Sequence, residues 1–421
     1  MNTPRTTPMA ADEWLQCILC TQRYPIDEVR YRCTCGALLA VGRRDDALRS
    51  LTSALRRERQ LSRDQLDQSG VWRYREAVLN LEAAHVVTHP EGGTRLYERP
   101  SLAAYAGVER LAFKHEGENP TGSFKDRGMT VAVSQAKRLG LTRVACASTG
   151  NTSAALAAYA AQAGMQAFVF IPAGKVAAGK LAQALGYGAR CLAVRGDFDK
   201  AMRLVQEAAA AFGVYLVNSL NPFRLEGQKT IIFELLEQRD FKVPDWLVVP
   251  AGNLGNTSAF GKAFLEARAA GWIDRLPRLV AVQAEGANPF YQSFVSGFAQ
   301  PCRVQAETVA TAIRIGDPVN YEKARAAIVA TNGLVCQVSD AAIMQAKAAI
   351  DRAGIGCEPA SAATLAAVRQ LAQAGVIGHA DDVVGVLTGH MLKDPEAVLG
   401  GGDRVTEIEP TLAAVAAVLD P

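Results

Sequence analysis

From residue 92 onward the chain alternates short β-rich apolar runs, turns rich in Gly, Asn, Ser and Thr, and Ala-rich helical stretches. Parallel strands need a crossover of a dozen or more residues, usually a helix, so this alternation predicts βαβ units and an α/β fold with mostly parallel sheets. Three junctions carry the pattern. RVACA at 143–147 leads into Ser148-Thr149-Gly150-Asn151-Thr152-Ser153 and the helix AALAAYAAQAG. WLVV at 246–249 leads into PAGNLGNTS and the helix AFGKAFLEARAAG, and DDVVGVL leads into Thr388-Gly389-His390. Open α/β sheets bind ligands outside the carboxyl ends of their strands, so the three polar, Gly-bearing loops outline one pocket.

Composition narrows the partners. The 421 residues correspond to roughly two to four folding units. A net charge of +3 gives no long-range field that would recruit nucleic acid or an anionic membrane. With 49% hydrophobic and 21% charged residues the chain can bury a sizeable core. Apolar stretches such as Ala167–Pro172 and Val383–Leu387 fall short of the ~20 residues a membrane span needs, and the opening MNTPRTTPMA has no secretory apolar segment. The expectation is a cytoplasmic protein with neither membrane nor nucleic acid as partner. Residues 43–69, highly charged with sparse Leu at helical spacing, read as a solvated linker helix.

Four of the nine cysteines, Cys17, Cys20, Cys33 and Cys35, crowd into nineteen residues. A C-x2-C and a C-x-C across a short polar excursion have the composition of a metal-binding ribbon, in which four thiolates close a tetrahedral structural zinc site. The usual pattern is two C-x2-C knuckles, so a vestigial ribbon and reduced, metal-free cysteines stay open. An odd total argues against a disulfide framework. The segment lacks the interleaved basic and aromatic residues of a nucleic-acid reader.

The loop Gly252-Asn253-Leu254-Gly255-Asn256-Thr257 suits an anion such as phosphate, with glycines aiming successive N–H groups and a helix start adding its positive end, and taken alone it reads equally as a helix start capped by Asn and Thr. Gly174–Leu181 matches the G-x4-G-K part of a P-loop but has Leu181 where magnesium binding needs Ser or Thr, and reads as a strand, a turn and a helix. In KHEGENPTGSFKDRGM at 114–129, NPTG marks a turn, Ser123 can cap a helix, and Lys125 falls in its first turn. There the helix dipole eases deprotonation, and a neutral amine beside a phosphate loop suits a Schiff base with pyridoxal phosphate, while a solvated surface lysine stays open on these residues alone.

Taken together, NPTGSFKDRG at 119–128, ASTGNTSAALAAYAA at 147–161, NPFRLEGQKT at 221–230, GNLGN at 252–256, EPASAA at 358–363 and LTGHMLKDP at 387–395 resemble threonine synthases. These are pyridoxal-phosphate enzymes of the tryptophan-synthase-β-like fold, fold type II. The resemblance implies that Lys125 forms the Schiff base and shuttles protons, Asn151 bonds the cofactor's phenolic oxygen, Gly252, Asn253, Leu254, Gly255 and Asn256 cradle its phosphate, and Thr388 faces the pyridine nitrogen. It assigns Ser148, Thr149, Thr152, Asn218, Arg224 and Asn253 to the phosphate of O-phospho-L-homoserine, the small-molecule substrate.

The implied reaction is γ-elimination of phosphate and β-addition of water to give L-threonine, the last step of its biosynthesis. Two lobes are implied, a small one at 120–230 set into a larger one at 91–119 and 231–421, after a four-cysteine ribbon at 10–41 and a helical connector at 42–90. A homodimer is also implied. The alternatives are a related enzyme acting on O-phosphoserine, as in cysteate synthesis, and a non-catalytic metabolite sensor.

Overall fold

The alternation resolves into sheets in a computed structural model of the chain, which describes residues 12–44, 47–174, 178–196, 198–399 and 407–419. The largest sheet has six strands in the order Leu334–Val338, Arg278–Ala284, Trp246–Pro250, Asp382–Leu387, Arg110–His115 and Leu96–Glu98. Only the last pair is antiparallel. A second sheet has four parallel strands in the order Arg190–Val194, Gln166–Pro172, Arg143–Ala147 and Tyr215–Leu216. Every residue of Trp246–Pro250 is buried, as a strand covered on both faces requires.

Each parallel sheet has a topological switch point. Trp246–Pro250 is flanked by Arg278–Ala284, which follows it in the chain, and by the much later Asp382–Leu387. Arg143–Ala147 is flanked in the same way by Gln166–Pro172 and Tyr215–Leu216. Connections diverge at such strands and leave a crevice at their carboxyl ends. Two of the three loops singled out from the sequence leave from these strands.

A third, antiparallel sheet of Arg23–Pro25, Glu13–Cys17 and Leu39–Arg43 carries the clustered cysteines. Half-buried cationic side chains tie it to the rest of the molecule. The Arg43 guanidinium donates to Val78 O and the Glu226 carboxylate, each at 2.8 Å. Lys262 and Lys323 donate to Val41 O and Leu39 O, each at 2.7 Å. Among the described residues no helix is long and apolar enough to cross a membrane.

The charged segment 43–69 departs from its reading as a solvated linker. It forms the helix Ser53–Leu61, capped by Thr52, and the short helix Gln65–Gln68. Arg56 and Arg59 are only 9% and 6% exposed. Arg56 lies 4.4 Å from the Trp272 ring centroid and 4.7 Å from that of Phe241, while Arg59 pairs with Glu76 at 2.6 Å. Long arginine stems cover apolar surface while the guanidinium finds carboxylate and aromatic partners, so charge does not imply exposure here. Of the P-loop-like stretch, residues 175–177 lie outside the described residues. Its flanks are the strand Gln166–Pro172 and the helix Ala178–Gly186.

Candidate active site

Lys125 is the first residue of the helix Lys125–Arg138. The cap position falls on Phe124, which makes no side-chain cap bond, rather than on the expected Ser123. Ser123 is fully buried and bridges to Gly389, and its Oγ accepts a long 3.4 Å bond from Lys125 N. Phe124 N donates to Thr388 O at 3.0 Å, so the lysine loop is stitched to the loop after Asp382–Leu387. The amine Nζ sits 3.6 Å from the Phe124 ring centroid. Burial first and the Arg224 guanidinium second lower its pKa to about 7, with Glu358 opposing both. Much of this amine is therefore neutral and nucleophilic at neutral pH.

Residues from the other loops converge on it. Asn151 opens the helix Asn151–Gln162, and its Nδ2 donates to Glu358 Oε2 at 2.9 Å. Thr388 Oγ1 donates to the other oxygen of the same carboxylate at 3.2 Å. Ser148, Thr149 and Thr152 are all partly exposed beside Asn151. Ser148 Oγ accepts from Gly150 N at 3.3 Å. Glu358 and its neighbour Ser361 escaped assignment from the sequence. Their only signal was the EPASAA block, which carries no chemistry until the fold brings it to the cleft.

Arg224 is buried on the helix Pro222–Gln228. Its Nη1 donates to Val217 O at 3.1 Å, and its Nε is enclosed without a partner among the described residues. Burial lowers its pKa to about 10, which leaves it charged at neutral pH. Asn218 spends both ends of its amide on the backbone of Ala147, at 3.0 and 2.9 Å, and so holds the end of the strand Arg143–Ala147. Gln228, four residues beyond Arg224, donates to Asn256 Oδ1 at 2.7 Å and joins this helix to the anion loop.

Within that loop Leu254 has φ +62°, a left-handed conformation uncommon outside glycine, and immediately precedes the helix Gly255–Ala269. A Cβ on Gly252 would lie 3.0 Å from Ile313 Cα, so only glycine lets the backbone approach so closely. Thr257 Oγ1 is buried with no partner among the described residues. An orphaned hydroxyl, turn backbone and a helix start in one place fit a phosphate. The cysteines form a separate cluster, with Cys17–Cys35 and Cys20–Cys33 sulfurs 3.5 Å apart and all four within 4.8 Å of one another.

A neutral lysine, a phosphate loop at a switch point and a polar cleft between two parallel sheets define a class, the pyridoxal-phosphate-dependent enzymes of fold type II. Residues 87–389 match the family described as pyridoxal-phosphate dependent enzyme. The threonine synthase of Methanosarcina acetivorans is 47% identical over 404 residues, covering 95% of this chain and 97% of that one. That of Methanocaldococcus jannaschii is 44% identical over 401 residues, covering 94% and 96%. The chain belongs to the threonine synthase family. The chloroplastic threonine synthase 2 of Arabidopsis thaliana is 42% identical over 387 residues, covering 89% of this chain and 75% of that one. Among solved structures, tomato threonine deaminase isoform 2 superposes with a TM-score of 0.64 at 19% identity, covering 83% of this chain and 94% of that one. Diaminopropionate ammonia lyase from Escherichia coli gives 0.63 at 17%, covering 85% and 95%. These two share the fold.

Proposed function

We propose that this chain converts O-phospho-L-homoserine and water to L-threonine and phosphate. The observation that carries the reading is the pairing of Arg224 with Lys125. A buried guanidinium with an unpartnered Nε lies close enough to lower the pKa of the reactive amine. The two groups therefore suit a single small molecule that carries a phosphate at one end and a reacting α carbon at the other.

The cleft fits pyridoxal phosphate, which Lys125 would hold covalently, the loop from Gly252 to Asn256 by its phosphate, and Asn151 and Thr388 at its ring. When bound, that cofactor supplies an electron sink for a carbanion at the substrate α carbon. Lys125 takes the α proton, loss of a β proton then lets the electrons expel phosphate from the γ carbon, and protons return to the γ carbon and, from Lys125, to the α carbon. Arg224, with Ser148, Thr149, Thr152 and Asn253, holds the substrate phosphate before and after its bond to the γ carbon breaks. Asn218 serves them by fixing the backbone at Ala147. Water then adds at the β carbon, and the cleft must exclude it until then. In Lys125→Ala both the visible absorption of the bound cofactor and turnover of O-phospho-L-homoserine are expected to vanish; survival of either overturns the assignment.

We further propose a zinc ion on Cys17, Cys20, Cys33 and Cys35. Zinc–sulfur bonds of about 2.3 Å set tetrahedral edges near ~3.8 Å, close to the sulfur separations here. One zinc per chain by atomic emission tests it. Sheet membership supports a small lobe at 120–230 within a larger one at 91–119 and 231–421. The family resemblance supports a homodimer, which sedimentation of the purified protein tests.

A further inference from the structure

Glu358 holds the two ring-facing side chains from opposite sides of the cleft. It lies at the start of the helix Pro359–Gln373, is 4% exposed, and accepts from Asn151 through one oxygen and from Thr388 through the other. Asn151 follows a strand of the four-stranded sheet and Thr388 a strand of the six-stranded sheet. The backbone clamps the carboxylate as well, since Glu358 N donates to Gly389 O at 3.1 Å. A Cβ on Gly389 would come within 2.6 Å of the Glu358 carboxyl.

Proton counting gives this cluster a direction. Ser361 Oγ accepts from Thr388 N at 2.8 Å and Gly389 N at 3.1 Å, which uses both its lone pairs. Its own proton is directed to Thr388 Oγ1 at 3.0 Å or, over the longer 3.5 Å, to Gly389 O, and in neither case can Thr388 donate to Ser361. Thr388 then spends its single proton on Glu358 and keeps at least one lone pair and no proton for anything else that meets it.

We infer that Glu358 is a positioning residue that turns the Thr388 hydroxyl into an obligate acceptor, so that the cofactor's ring nitrogen must bring its own proton. A hydroxyl alone leaves that nitrogen free to be unprotonated, whereas a hydroxyl backed by a carboxylate favours the protonated ring and the stronger electron withdrawal that comes with it. The inference rests on the proposed placement of Thr388 against the ring. Burial holds the Glu358 pKa above the ordinary carboxylate value, and the Asn151 hydrogen bond, the charges of Lys125 and Lys393 and the Thr388 hydrogen bond offset only part of that rise. Cys357, beside it in the chain, is buried and its thiol is pushed well up, so it brings no charge.

The test is nitrogen-15 NMR of the full-length enzyme loaded with ring-labelled pyridoxal phosphate. The wild-type resonance is expected in the protonated range at neutral pH. In Glu358→Gln and Glu358→Leu it should move toward the unprotonated range, with kcat reduced about 10–100-fold and KM changed far less, as for residues that orient the partners of a reactive centre. An unprotonated nitrogen in the wild type overturns the inference, even if both variants fail to fold. So does a resonance that stays put in a variant that still holds the cofactor. Failure of the wild type to take up the labelled cofactor at all would instead overturn the functional reading beneath it.

Discussion

Arg224 helps to set the chemistry of Lys125. The guanidinium contributes to the low pKa of the amine, near 7, and Glu358 opposes it. A lysine with a lowered pKa is neutral above that value, so uptake of pyridoxal phosphate by the cofactor-free protein should accelerate as pH rises through about 7 and level off above it. Arg224→Met removes the positive neighbour and should shift that midpoint to higher pH, as read by stopped-flow absorbance. The same substitution should lower kcat/KM for O-phospho-L-homoserine about 10–100-fold, because it deletes a charged hydrogen-bond donor. Both residues were legible in the sequence through SFKDRG and NPFRLEGQKT. Glu358 was not, because it meets Asn151 across 207 positions and no local spacing reports such a pair.

Two helices position that pair. Gly128 lies three residues after Lys125, and Gly227 three after Arg224, so each glycine shares a helix face with one of the two cations. At the crossing a Cβ on Gly227 would fall 1.7 Å from Arg127 O, and one on Gly128 would fall 2.9 Å from Arg224 O. Neither backbone can yield without moving its helix. Gly227→Ala should therefore cost about 1–3 kcal/mol of stability, read in urea melts, and in the surviving fold reduce kcat/KM more than a surface substitution of equal instability. The strands were legible because buried apolar runs ending in Gly and Asn have few other readings: RVACA forms Arg143–Ala147 and WLVV opens Trp246–Pro250. The glycine crossing was not, since a glycine inside a motif does not announce which backbone it meets. Arg56 and Arg59 misled for a related reason, their partners being distant in the chain.

Across the whole molecule, the ribbon reaches the cleft through one buried carboxylate. Glu226 lies two residues from Arg224 and is shared by Arg43 of the ribbon at 2.8 Å, Lys229 at 2.6 Å, and Lys262. These three cations hold its pKa far below the usual carboxylate range despite burial. A depressed carboxylate stabilises the fold above its unfolded value of about 4.3 and loses that contribution as pH falls through the folded value. Glu226→Gln leaves Arg43, Lys229 and Lys262 with Glu266 as their shared carboxylate and should cost about 3 kcal/mol at neutral pH, the low end for a broken buried pair. Because the lost term is already fading in acid, the gap between wild type and variant should narrow below about pH 4, as measured by urea unfolding at a series of pH values. Arg43→Met is the milder cut, since Glu226 keeps both lysines. It should loosen the helix that carries Arg224 while leaving Lys125 in place, so KM for O-phospho-L-homoserine should rise with little change in kcat and none in cofactor absorbance. Stripping metal from the four cysteines should act in the same direction, through the strand Leu39–Arg43 that ends on Arg43. A chelator-treated enzyme with unchanged KM would show that the ribbon is held to the cleft by its hydrogen bonds alone.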